Sequence, residues 1–162
     1  VSQWFVCMGL YADEAKARHD FDQLVDLGDV RRLLLRDAAI VEKTEDGSIE
    51  ILEKTSGAGT ADGVMVGAFV GLLFPPALIA TAVVGGAAGG VLRHVTRALS
   101  RDDVKELGEV LDRGQLCLVA VAEQESSDVV TSAMQGATER VARRMDVDAK
   151  ALEEALREAE QG

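Results

Sequence analysis

Hydrophobic and polar positions recur with different periods along this chain, and each period marks a different kind of element. Trp4-Phe5-Val6-Cys7-Met8-Gly9-Leu10 is a continuous apolar run bounded by polar residues, the pattern of a strand buried on both faces. From Asp13 the period lengthens. Ala17, Phe21, Leu24 and Val25 fall at i, i+4, i+7 and i+8, which predicts an amphipathic helix ending near Gly28. Residues 38–43 and 48–54 are β-rich runs flanking Glu45-Asp46-Gly47, and the Asp-Gly step predicts a hairpin between them. Polar spacing then stops: residues 63–92 carry no charge at all.

That apolar stretch is broken once, by Pro75-Pro76, which removes backbone donors and splits it into two helices joined by a tight turn. The first arm, 59–74, places Gly59, Gly63, Gly67 and Gly71 at a four-residue spacing, so one stripe carries hydrogen-only side chains and admits a close neighbour. The second arm, 77–99, answers with Gly85 and Gly89 and, beside them, Gly86 and Gly90. Glycine in a helix interior costs about 1 kcal/mol relative to alanine, so such a stripe demands compensation from close packing. The arms would be roughly 24 and 34 Å long at about 1.5 Å per residue, against a hydrocarbon core of about 30 Å. Asp62 interrupts the first arm, and Arg93, His94 and Arg97 the second. The first arm is therefore marginal for spanning, and the apolar part of the second, about 16 residues, is below the usual spanning length. A shallow re-entrant insertion led by Leu72, Leu73, Phe74, Leu78 and Ile79 remains compatible with the pattern. At about 25 cal/mol per Å², hiding 1,000 Å² of apolar area is worth roughly 25 kcal/mol before entropy, so the expectation is cover by lipid or by sister subunits.

Beyond the apolar stretch, Ser100 caps a helix opening Arg101-Asp102-Asp103 and burying Val104, Leu107, Val110 and Leu111, with Gly114 as its stop. Residues 115–122 form a second apolar strand. Ser126 or Ser127 begins a helix with Val129, Val130, Ala133 and Met134 that closes at Gly136. Residues 138–147 read as an exposed edge strand whose Arg140, Arg143 and Arg144 discourage further pairing. The last helix, 148–160, has Leu152 and Leu156 and little else apolar, so weak anchoring is expected. Without the insertion and its flanking helix, the order is strand, helix, strand, then strand, helix, strand. This predicts an α+β fold, a ferredoxin-like split βαβ sandwich with an inserted glycine-zipper helical hairpin and a C-terminal helix. The first strand and the 115–122 strand are expected as a central parallel pair. The corresponding divisions are 1–56 and 100–147 for the two halves of the sandwich, 57–99 for the hairpin and 148–162 for the last helix.

Charge and chemistry narrow the partners more than they suggest a reaction. A formal net charge of -11 disfavours nucleic-acid binding and charge-driven docking on anionic lipid. Cys7 and Cys117 fall in apolar strands without second ligands at motif spacing, so inert core thiols in a reducing compartment are expected, with no metal site and no cofactor. No secretion signal is read at the start of the sequence. His19 sits between Arg18 and Asp20 on a polar helix face and His94 follows Arg93, neither within a catalytic motif. The 57–63 segment resembles a phosphate-binding loop superficially but lacks the lysine that a P-loop requires. No catalytic residue is nominated.

The opening apolar strand, the VEKTEDGSIEI hairpin, the paired glycine-rich helices, the D-D-x-x-K-E-L-G-x-x-L segment from Asp102 and the RGQLCLVAV strand together resemble the bacterial domain of unknown function 1269 family. The resemblance runs from Trp4 to about Leu156. It implies this architecture and membrane association, since members are often labelled as predicted membrane proteins, and it carries over no catalytic residues. The expected function is non-enzymatic: self-association driven by the glycine-zipper hairpin, with or without a bilayer. The alternatives are a soluble homo-oligomeric scaffold with hairpins buried between subunits, and a small-ligand sensor. The expected partners are further copies of the chain, with membrane lipid and an unidentified protein as alternatives, and the expected location is cytoplasmic, with the inner face of the plasma membrane as the alternative where lipid covers the hairpin.

Overall fold

A computed structural model describes residues 2–30, 32–55, 64–73, 89–113 and 116–161. The described elements are β1 (Ser2–Tyr11), α1 (Glu14–Asp29), β2 (Leu35–Lys43), β3 (Ile49–Lys54), α2 (Val64–Leu73), α3 (Gly89–Ala98), α4 (Arg101–Arg113), β4 (Leu116–Glu123), α5 (Ser127–Ala133), β5 (Glu139–Val147) and α6 (Ala149–Gln161). Two local signals behave as the sequence predicts: Ser100 Oγ accepts the Asp103 N–H at 3.1 Å, and Gly47 holds φ at +86° in the β2–β3 turn. Asp13, too, accepts the Ala15 N–H at 2.8 Å and caps α1.

The five strands form one antiparallel sheet in the order β3-β2-β4-β1-β5, in a mixed α+β architecture. β1 and β4 are central neighbours, but they run antiparallel, with Trp4 opposite Glu123 and Leu10 opposite Cys117, and not parallel as expected. The reason is the α1 crossover. It sets β1 and β2 parallel with a gap of one strand between them, and β4 fills that gap antiparallel to both.

Helices cover both faces of this sheet. Phe5 and Cys7 of β1 and Leu118 and Ala120 of β4 pack under α1 and α5, through Phe21, Leu24, Val130 and Ala133. Their neighbours in sequence, Val6, Met8, Val119 and Val121, join the opposite core with residues of α2, α3, α4 and α6. Burial on both sides explains why β1 and β4 read as unbroken apolar runs.

The second core places the glycine-rich arms. α2 buries Met65, Val66, Gly67, Ala68 and Val70, and α3 buries Val91 and Val95, so the chain's own sheet supplies cover for these parts of both arms. A helix without a polar stripe belongs in an interior, and α2 is in one. α3, by contrast, exposes Arg93, Thr96 and Arg97. The last helix is better held than its composition suggested: Leu152 is fully buried and Ala155 nearly so, with Leu156 packed against them.

Candidate functional site

The start of β2 departs from regular pairing, with a register shift between Leu35 and Asp37 opposite β4. Two side chains follow from that irregularity. Arg36 lies 5.0 Å from the centre of the Trp4 ring and pairs with Glu123 at 2.9 Å. Asp37 is wholly buried, and its carboxylate reaches α2. Its Oδ2 accepts the Val66 N–H at 2.9 Å, one of the first-turn donors that a helix leaves without an internal partner. Its Oδ1 accepts the Thr55 hydroxyl at 2.8 Å and the Ala38 N–H at 3.0 Å. Thr55 is itself buried, and its N–H bonds the Ala38 carbonyl at 3.0 Å. The point where the chain leaves β3 and the point where the apolar arm begins are thus tied to one carboxylate. A negative charge at a helix N-terminus also complements the helix dipole.

A second buried carboxylate organises the other face. Asp20 Oδ2 accepts the Tyr11 hydroxyl at 2.6 Å and the Gly136 N–H at 2.8 Å, joining β1, α1 and the loop after α5. A Cβ added at Gly136 would lie 3.1 Å from Lys16 Cβ and 3.2 Å from Asp20 Oδ2, so a larger residue here must push its neighbours aside. Gly136→Ala is expected to lower the thermal midpoint of unfolding through an overpacking penalty of about 1–3 kcal/mol, and an unchanged midpoint in a calorimetric scan would remove Gly136 from this account. Arg140 Nη1 donates to the Thr131 carbonyl at 2.7 Å, and Arg143 pairs with Asp103 at 3.2 Å and with Glu106, tying β5 to α4.

Neither cysteine is poised for chemistry. Burial pushes the Cys7 thiol up to about 11, and burial raises Cys117 as well, so both stay protonated at neutral pH. They occupy opposite faces of the sheet, which prevents a disulfide between them. His19 is exposed and His94 half-buried. Among the described residues, no group of three metal-ligating side chains converges.

The residues expected at the oligomer or membrane interface divide into two sets. Gly67 and Gly71 lie in α2, Leu72 and Leu73 are half-buried against the core at its end, and Gly89 and Gly90 open α3. Gly59, Gly63, Phe74, Leu78, Ile79, Gly85 and Gly86 lie outside the described residues, as does the 57–63 loop. Among the described residues no helix is long and apolar enough to cross a membrane. Sequence reasoning missed Asp37 and Asp20. For Asp20 a signal existed, because it falls with Ala17, Phe21 and Leu24 on the buried side of α1. No curated protein and no solved structure was found to match the chain. The family model described as "Protein of unknown function (DUF1269)" does match, over residues 60–159, and the chain belongs to that family.

Proposed function

We propose that this is a non-enzymatic, self-associating protein: a ferredoxin-like split βαβ sandwich whose inserted glycine-rich hairpin brings copies of the chain together. The fold reading is supported by the order β5-β1-β4-β2 with α1 and α5 on one face, β3 being an added edge strand. The observation that carries the functional reading is the division of the apolar insertion. Its arms α2 and α3 pack on the sheet, while the sequence between them, FPPALIATAVVGGAA, remains uncharged over residues 74–88. The arms fix the insertion to its own domain, and the intervening stretch contacts other copies. A bilayer is the second possible cover for the same stretch.

The test is the mass of the protein purified without detergent, after cell lysate has been separated into soluble and membrane fractions. A discrete oligomer that falls to monomer in Leu78→Glu/Ile79→Glu, with an unchanged thermal midpoint, is the expected result. An oligomer whose mass ignores that double variant overturns the proposal, and recovery only from membranes with detergent assigns the stretch to lipid. Gly67→Leu serves as the contrast. Because Gly67 is buried in the described core, leucine there is expected to destabilise the fold itself by about 1–3 kcal/mol, measured by denaturant unfolding.

A further inference from the structure

α1 and α5 lie side by side on one face of the sheet and leave a groove between them. One part of it is an open cavity of about 400 Å³ in which Leu27, Val129 and Ala133 are flanked by Gln23, Ser132 and Asp128. It meets a second cavity of about 430 Å³, beside Lys16 and His19, at the shared residue Gln135. Leu27 and Val129 are only partly buried. Beyond the lining, past the end of α1, come Val30, 64% exposed, and Leu34, 40% exposed. Val30 follows Leu27 by three positions and so shares its side of the helix, while the Leu34 N–H bonds Ser126 Oγ at 3.0 Å, at the start of α5. These two are the exposed large hydrophobic residues among the described part of the chain, one just past the C-terminal end of α1 and the other bonded to the start of α5.

The rim is acidic. Asp22 and Asp26 are exposed on the stripe of α1 next to Gln23 and Leu27, and Glu125 and Asp128 are exposed on the α5 side. None of the four carboxylates takes part in an ion pair among the described residues. An apolar floor between unpaired carboxylates fits a cationic amphipathic segment, whose apolar side chains fill the groove while its lysines or arginines meet the rim. From Gln23 to Val30 the floor is about 10 Å long at the helical rise, enough for a short anchor of a few side chains.

We propose that the α1–α5 groove is a docking site for a basic amphipathic peptide segment of a partner protein. This site is on the opposite face of the sheet from the glycine-rich arms and does not depend on self-association. The probe is a fluorescent 14-residue helix of leucine and lysine, compared with the same peptide carrying glutamate in place of lysine, with binding read by anisotropy. The lysine peptide is expected to bind the full chain and the glutamate peptide not to. Val30→Ser/Leu34→Ser and, separately, Asp26→Lys/Asp128→Lys should each weaken binding about tenfold, a loss typical of one removed anchor. All four positions are solvent-facing, so the fold should survive. Glu153→Lys/Glu154→Lys, on exposed positions of α6 across the sheet, should change binding less than about twofold. Equal weakening by the α6 pair would reduce the interaction to the overall negative charge. That outcome overturns the proposal, as do tight binding of the glutamate peptide, insensitivity to both groove variants, or no binding of the lysine peptide.

Discussion

Replacing Asp37 with alanine is expected to cost about 3–5 kcal/mol of unfolding free energy, read as a lower midpoint in denaturant. The substitution removes the acceptor for three donors, the Val66 and Ala38 N–H groups and the Thr55 hydroxyl. Each buried donor left without a partner costs about 1–3 kcal/mol, and Ala38 keeps a long contact of 3.3 Å to Thr55 Oγ1. Asp37→Asn should lose less, because the amide oxygen still accepts on one side while its NH₂ group meets donors on the other. Thr55→Val, which removes one hydroxyl, should cost about 1 kcal/mol. The ranking matters more than any single value. A carboxylate that merely tolerates burial would give Asp37→Ala within about 1 kcal/mol of the parent, and such a result would show that α2 is held by apolar packing alone. The variant also has a signature beyond stability. Loosening the first turn of α2 uncovers Met65, Val66 and Val70, so binding of a hydrophobic dye should rise before global unfolding begins.

How far such details are legible in the sequence depends on how local their causes are. The α1 cap at Asp13, the Asp46-Gly47 turn and the Ser100 cap involve partners within a few residues, and the residue types announce them. The unbroken apolar runs of β1 and β4 announced burial on two faces. They also held a further signal. α1 and α5 can cover one face only, so another set of helices had to cover the second, and the apolar insertion lies between the strands that needed it. The composition of 63–92 demands cover but does not distinguish lipid, a sister subunit or the chain's own sheet, since each satisfies the same hydrophobic requirement. Asp37 was illegible for a related reason. Its partner at Val66 is distant along the chain, and Asp37 falls just before the 38–43 run, where an acidic residue looks like an ordinary strand-end position.

Stability should fall steeply in alkali, starting near pH 9. In the unfolded chain the two thiols ionise near 9.0 and the tyrosine near 10.0. In the fold, burial raises Cys7 to about 11 and raises Cys117 too, while burial and the hydrogen bond to the Asp20 carboxylate raise Tyr11. All three groups therefore keep their protons in the native state at a pH where the unfolded chain has released them. Their contribution is fully present below pH 9 and is lost as pH rises, by up to about 1.4 kcal/mol per pH unit for each group. Two thiols act between pH 9 and 10 and the tyrosine joins above 10, so the slope should steepen there. Unfolding free energies at pH 7, 9, 10 and 11 provide the check. Tyr11→Phe should flatten the upper part of the curve and Cys7→Ala the part between 9 and 11. A level profile to pH 11, or one that neither variant alters, would mean that these groups are as accessible in the fold as in the open chain.

The position of β4 between β1 and β2 also governs the order in which this protein can be assembled as it is made. Among the described strands, β1 pairs with β4 and β5, setting Trp4 opposite Glu123 on one side and opposite Met145 on the other. Both neighbours are synthesised long after β1 has left the ribosome. Among the described strands, the β2–β3 hairpin is the one pair that the growing chain can close until residue 116 emerges. The first strand must then wait as a free apolar segment, with both of its edges open to pairing with other chains. Formation of the sheet is consequently a late, largely non-local event, of the kind that slows folding and leaves nascent chains dependent on protection from aggregation.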